Sequence, residues 1–351
     1  MASSFSAKLL RWYADNARAL PWVGENDPYR VWLSEVILQQ TRVEQGIAYY
    51  KRFVEAFPSI THLSEAPETT VMKLWEGLGY YSRARNMHAT AQWITKNHGG
   101  RFPNTRTELL TLKGIGPYTA NAILSYAFKQ PYAVTDGNVL RILSRFKGIA
   151  DPIDKPEGKR QLEALAQKLL DTKQPHIYNQ AMMDFGSAVC KPRNPLCQSC
   201  PFAKTCYAFA HDAQDQFPVK SVKKKRKVRH LHFFIVWGNG HVVIRQRTAS
   251  DIWRNLWEFP MLESSTRTDL KHLQTSAGYR KNGLDTFTFE AMGTEKQLLT
   301  HQELHCHFYI AGGATRKQLS LINGIAIPLN TLSQYAFPGA IRSFLRRNAY
   351  F

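Results

Sequence analysis

Acidic residues are scarce in this chain of 351 residues: 27 aspartates and glutamates stand against 46 lysines and arginines, a formal net charge of +19. A surplus of that size repels itself, so a polyanionic partner is expected ahead of a merely basic enzyme or one drawn to anionic membrane. Long apolar runs are missing as well. No stretch approaches the ~18 consecutive apolar residues of a membrane span, and the opening MASSFSAKLLRWYADNAR offers no apolar run to act as a signal core. Neither membrane insertion nor export is expected, and a cytoplasmic location is. Cysteine is sparse, five in all, and the five do not look like a disulfide set, which suits a reducing compartment. Apolar residues, in contrast, make up 44% of the chain and aromatics 12%, enough for folded cores and against wholesale disorder. The length suggests two domains.

Residues 1–210 read as mostly helical. Trp12, Trp32, Val36, Leu74, Trp75, Ile123 and Leu124 lie in segments with helical apolar spacing, punctuated by Pro21, Pro28, Pro58, Pro67 and the glycine pairs Gly77/Gly79 and Gly114/Gly116. The periodicity stops at 211–230, where a basic run from Lys220 to Arg229 reads as an interdomain linker that also touches phosphates, or else as a localisation signal or a solvated charge patch. Beyond it, LHFFIVW and HVVIRQR flank Gly238-Asn239-Gly240, a strong hairpin signal. HFYI at 307–310 predicts another strand and the C-terminal residues a helix, so this part is α/β.

Four of the cysteines, Cys190, Cys197, Cys200 and Cys206, follow C-x6-C-x2-C-x5-C. Four thiolates within so short a span can enclose one metal centre unaided, zinc or iron–sulfur on spacing alone. The stretch LLTLKGIGPYTANAIL predicts helix, Gly-Ile-Gly turn and helix, the second opening at Pro117. Free N–H groups at such a turn can hold a phosphate. Two carboxylates stand out. Glu35 sits in the apolar helix VWLSEVILQQT, where burial would raise its pKa and make it a proton donor. Asp136 sits in AVTDGNVLRIL, as a site carboxylate or a helix N-cap.

Taken together, the cysteine spacing, the helix-hairpin-helix stretch and SEVILQQT, close to the family motif SEVMLQQT, resemble the adenine DNA glycosylases of the endonuclease III superfamily. The resemblance is strong over about the first 210 residues and weaker over the last 120 or so. It implies a helical glycosylase domain over 1–216, with a helix-hairpin-helix subdomain at about 22–136 and an iron–sulfur subdomain built from 1–21 with 137–216. A basic linker at 217–229 and a Nudix-like α/β domain at 230–351 would follow.

The same resemblance implies a [4Fe–4S] cluster on the four cysteines. It implies Glu35 as general acid, Asp136 as stabiliser of a sugar cation or nucleophile, and Asn138 as its orienter. Tyr118 stands where bifunctional relatives carry a Schiff-base lysine, and Lys113 is out of register, so base removal without an efficient lyase step is expected. Arg18, Leu20, Trp22, Leu38, Gln180 and Met183 match positions lining an adenine pocket. Gln40 and Tyr80 match residues that wedge into the stack when the base is extruded; Thr41 is a further candidate DNA contact, and Arg83 adds charge beside Tyr80. Gly114, Gly116, Lys191 and Arg193 would meet phosphate. The Nudix-like part lacks the Gly-x5-Glu-x7-Arg-Glu helix that holds magnesium and would instead read 8-oxoguanine. The family's Phe-Ser-His loop aligns with Glu303-Leu304-His305, which retains only the histidine and makes Leu304 and His305 the candidate lesion contacts. The expected partner is duplex DNA with adenine opposite 8-oxoguanine or guanine, bound by a monomer; in a bacterium the enzyme would sit on the nucleoid.

Overall fold

The computed structural model describes residues 2–222 and 225–348. The chain divides into two compact units, one from 1–65 with 86–222, the other from 66–85 with 223–351. Lys223 and Lys224 of the expected basic linker lie outside the described residues.

In chain order the helices of the first half are α1 (Ala2–Asn16), α2 (Pro28–Leu38), α3 (Val43–Ala56), α4 (Ile60–Glu65), α5 (Glu68–Trp75), α6 (Ser82–His98), α7 (Arg106–Thr111), α8 (Pro117–Tyr126), α9 (Gly137–Lys147), α10 (Pro156–Leu169), α11 (Pro175–Ala188) and α12 (Tyr207–Ala210). Their ends follow from local chemistry. The Asp27 carboxylate caps α2 by accepting from the Tyr29 N–H at 2.9 Å, with Pro28 in the first turn. Asp136 caps α9, which stops at the left-handed Gly148 (φ 68°). A side chain there would strike the Tyr207 ring, its Cβ only 2.4 Å away. In the helical unit α2 packs on α3 and α8, and α1 packs on α10 and α11. Phe5, Leu9, Leu143, Leu162, Ala181 and Phe185 form part of one core there.

Beyond the break come β1 (Lys227–Gly238), β2 (His241–Gln246), β3 (Trp257–Glu258), β4 (Met261–Ser264), α13 (Leu270–Thr275), α14 (Ala277–Lys281), β5 (Glu290–Leu298), β6 (Gln302–Ala311), α15 (Arg316–Leu319), β7 (Ile325–Pro328) and α16 (Gly339–Arg347). The first strand begins at Lys227, within the stretch expected to be linker. The β1–β2 hairpin turns at Asn239-Gly240, both with positive φ. The sheet runs β3-β2-β1-β6-β5, with β4 against β1, β7 against β2, and β1 parallel to β6.

That parallel register sets His230 beside His305 and His232 beside His307. Four imidazoles result in a ladder, His305 on His230 at 4.9 Å, His230 on His307 at 5.4 Å and His307 on His232 at 4.7 Å between ring centres. His230 Nδ1 and His307 Nε2 lie 3.1 Å apart, and His232 is bonded to Tyr309 and Ser264. Burial, then the neighbouring imidazoles, depresses His232 and His307 to about 4. His232 and His307 thus fold neutral. Their contribution is complete above the ordinary imidazole pKa of about 6.5 and is lost as pH falls toward about 4. The melting temperature of the C-terminal unit should therefore fall steadily between those limits, and His232→Phe, which cannot titrate, should flatten the fall in a pH series of thermal melts.

Candidate active site

A cavity of about 700 Å³ in the helical unit is lined by Glu35, Tyr118, Asp136 and Asn138. Arg18, Leu20, Trp22, Leu38, Gln40, Thr41, Gly114, Gly116, Gln180 and Met183 line the same cavity. The remote stretches singled out in the sequence thus converge.

Glu35 lies on the buried face of α2 and is 8% exposed. The Tyr118 hydroxyl donates to its Oε2 at 2.7 Å. That bond favours the charged form, but burial, aided by the nearby Asp136, outweighs it and pushes Glu35 up to about 7. Asp136 lines the same cavity. Its Oδ1 accepts from the N–H groups of Asn138 (2.8 Å) and Val139 (2.9 Å), and its Oδ2 from Asn138 Nδ2 at 2.6 Å. It is both the N-cap of α9 and a wall of the cavity. Burial raises its pKa, and the three donors oppose that rise.

The segment leading to Asp136 belongs to no helix or strand. Side-chain amides hold it instead. Gln167 Oε1 accepts from the Ala133 N–H (3.0 Å), Asn121 donates to the Ala133 carbonyl (2.9 Å), and the buried Asn179 accepts from Val134 N–H (3.1 Å) and donates to Tyr132 O (2.8 Å). None of these amides drew notice in the sequence, since an amide carries no signal until its partner's place is known.

Asp184 was missed as well. Fully buried on α11, it accepts from Arg18 Nε (2.9 Å), Nη2 (2.7 Å) and N–H (3.0 Å) and from Gln180 Nε2 (3.0 Å). Arg18 and Gln180 thus line the cavity as a pre-set array, held by a carboxylate 166 residues from Arg18.

The helix-hairpin-helix consists of α7, the turn through Gly114 and α8. Gly114 has φ 82°, and a Cβ there would come within 2.8 Å of Asn86 Cβ, so glycine is required. Gln40 is exposed and left-handed (φ 58°) just beyond α2.

Cys190, Cys197, Cys200 and Cys206 line one cavity with Phe5, Ile142, Phe146 and Phe202. Burial raises Cys200 to about 11. Two arginines one turn apart on α9 run beneath this loop. Arg145 donates to the carbonyls of Lys191 (2.6 Å) and Pro192 (3.1 Å) and lies 3.6 Å from Cys190 Sγ. Arg141 donates to the carbonyls of Cys190 (2.8 Å) and Gly186 (2.7 Å) and to Asn138 Oδ1 (2.9 Å). Arg141 therefore fixes the amide of Asn138 with its nitrogen toward Asp136. Lys191 is half-buried and Arg193 exposed in the same loop.

The remaining candidates belong to the C-terminal unit. Arg83 lies over the rings of Trp75 (4.9 Å) and Tyr80 (5.7 Å). Leu304 is fully buried on β6, so its side chain faces the core and cannot meet a base. His305, on the same strand, has its Nε2 bonded to Glu303 at 2.9 Å. Glu303-Leu304-His305 thus lies inside a strand. The tripeptide ahead of that strand is Leu299-Thr300-His301, in which Thr300 and His301 are exposed. A chain without a hairpin glycine at this turn gave no sign of where the strand begins.

Residues 33–172 match the model of the HhH-GPD superfamily of base excision DNA repair proteins, and residues 232–347 match a NUDIX domain. Among solved structures, a thermostable thymine-DNA glycosylase is similar at 26% identity and TM-score 0.56, covering 60% of this chain and 97% of that one. An endonuclease III in a DNA complex shares the fold at 23% identity and TM-score 0.52, covering 60% and 98%. The chain is thus a helix-hairpin-helix DNA glycosylase with a Nudix domain. The adenine DNA glycosylase of Buchnera aphidicola from Acyrthosiphon pisum is 36% identical over 74% of this chain and 75% of its own length. That of Homo sapiens is 40% identical over 61% and 41%. The chain belongs to the adenine DNA glycosylases.

The arginine beneath the cysteine loop gives a direct test of the site's construction. Replacing Arg141 with methionine removes the donor to the Cys190 and Gly186 carbonyls and to Asn138 Oδ1, and should cost roughly 3 kcal/mol in denaturant melts as well as slow base release. A variant as stable as the parent would show that these bonds contribute nothing.

Proposed function

We propose that this enzyme hydrolyses the N-glycosidic bond of adenine mispaired with 8-oxoguanine or guanine in DNA, without a lyase step, after extruding the adenine into the cavity. The observation that carries the reading is the convergence of a carboxyl poised near neutrality with a second, hydrogen-bonded carboxyl in one cavity. Glu35 delivers its proton to a ring nitrogen of adenine. The electron pair of the bond to the sugar leaves with the protonated base, and positive charge develops on the deoxyribose. Asp136 stabilises that cation, or bonds to it until water supplies the hydroxyl of the abasic product and releases a proton. Tyr118 holds Glu35 in place; a phenol cannot form the imine that strand cleavage requires. Lys159 also lines the cavity, but it is exposed and paired with Glu163 at 3.7 Å. Arg18 and Gln180 present fixed donors to the base. Gln40 and Tyr80 fill the stack, Gly114, Gly116, Lys191 and Arg193 engage phosphate, and the turn Leu299–His301 faces the opposite base in the role first assigned to Leu304 and His305.

The four cysteines suit a [4Fe–4S] cluster. Among the described residues no three His, Cys, Asp or Glu side chains lie close enough to hold one ion, as a zinc site with bonds of about 2.3 Å demands. Yet the four thiols line one apolar cavity, which fits a larger centre with its own bridging sulfide. Bound there, the cluster would fix the loop that carries Lys191 and Arg193. Iron and inorganic sulfide should be found in equal amounts, roughly four of each per chain; zinc in their place would refute the assignment.

Single-turnover base release on duplexes with adenine opposite 8-oxoguanine should fall by at least about 100-fold in Glu35→Gln and by about as much in Asp136→Asn. Because the active form of Glu35 is protonated, the parent's rate should decline as pH rises through about 7, and Glu35→Gln should lose that limb. Borohydride should trap no enzyme–DNA imine. Undiminished release in either variant would refute the mechanism, and a trapped imine would refute the monofunctional assignment.

A further inference from the structure

Tyr126 ends α8, the helix that carries Tyr118 in its first turn. It borders two cavities of the helical unit. One is the cavity of about 700 Å³ that holds Glu35 and Asp136; the other, of about 260 Å³, is also lined by Tyr13, Glu25, Lys129 and His176. Trp22, Glu35 and Gln180 are the other residues common to both. Tyr126 thus stands among residues read as meeting the base. Its backbone is tied, since Lys129 Nζ donates to its carbonyl at 2.6 Å. Its hydroxyl is not. Among the described residues none bonds to it, whereas the Tyr118 hydroxyl is committed to Glu35. Tyr178 and Tyr279 also carry unpaired hydroxyls, but they line neither cavity.

The phenol keeps its proton. Burial, and then the carboxyls of Glu35, Asp136 and Asp184, raise its pKa well above the ordinary value. The hydroxyl can therefore both donate and accept. A polar group left open at the wall of a cavity favours the ligand that pairs with it over one that does not. We propose that Tyr126 is a specificity-determining residue whose hydroxyl accepts a hydrogen bond from the exocyclic amine of the extruded adenine. Glu35 borders the same two cavities and gives its proton to a ring nitrogen. In adenine the amine flanks N1 on one edge and N7 on the other. A hydroxyl beside the proton donor therefore meets the amine when either nitrogen is protonated. The two side chains together match a ring acceptor next to an amine donor, the pattern that separates adenine from guanine, which carries an oxygen in place of the amine. Arg18 cannot be the acceptor, because a guanidinium only donates. The proposal rests on the reading of this cavity as the adenine site.

The experiment measures single-turnover base release by the full-length parent and Tyr126→Phe, on duplexes that carry either adenine or purine, which lacks the amine, opposite 8-oxoguanine. Tyr126→Phe should lose about tenfold on adenine, the effect of one hydrogen bond, and nothing on purine. The ring and Glu35 stay in place, so the decline in rate as pH rises through about 7 should persist, and the melting temperature should not fall. A parental rate of Tyr126→Phe on adenine would overturn the proposal while leaving adenine excision intact. Equal losses on the two bases, a displaced pH limb or a lower melting temperature would mark the hydroxyl as structural and overturn it too. A parent that releases no adenine from either mispair would overturn the reading of the site, and the proposal with it.

Discussion

Two buried carboxyls share one cavity, and the helical unit surrounds them with different hydrogen-bond donors. Both are buried, and burial alone would raise both. The difference is in the donors. Glu35 receives one hydrogen bond, from a phenol, whereas Asp136 receives three, two of them from the first turn of a helix. The positive end of α9 reinforces the same preference. Each group also acts on the other, since a charged Asp136 makes ionising Glu35 more costly. The roles proposed for the two carboxyls thus rest on who donates to whom, not on residue type.

The helix that provides the cap also reaches the cysteine loop. Arg141 and Arg145 leave α9 on the same face and take up carbonyls at Cys190, Lys191 and Pro192. Through Arg141 the peptide of a cysteine and the amide that orients Asp136 share one guanidinium. A planar fork with several donors can serve such divergent acceptors, where an ammonium would serve them poorly.

Much of this was legible locally. A glutamate within VWLSEVILQQT, an aspartate ahead of GNVLRIL, a Gly-Ile-Gly turn and four clustered cysteines each declare themselves within seventeen residues or fewer, and the Asn239-Gly240 hairpin did the same for β1 and β2. What escaped was held by distant partners. Asp184 supports Arg18 across 166 positions, and Asn179 reaches Val134 across 45. The histidine ladder exists only because β1 and β6 run parallel, 75 residues apart in register. Leu304 escaped for a related reason: which side chains of a strand face the core depends on where the strand begins, and Leu304, inside β6, is fully buried.

The unpaired segment before Asp136 has a further consequence. A strand in a ladder can slip by two residues and recover its bonds, because every rung is alike. Residues 132–134 have no rungs. Three amides from three helices each grip a particular peptide group, so the chain behaves as if indexed. An inserted residue there has no neighbouring position to settle into. The exactness of Asp136's location is thus written into fasteners that recognise individual peptides, and length in this stretch is as constrained as identity.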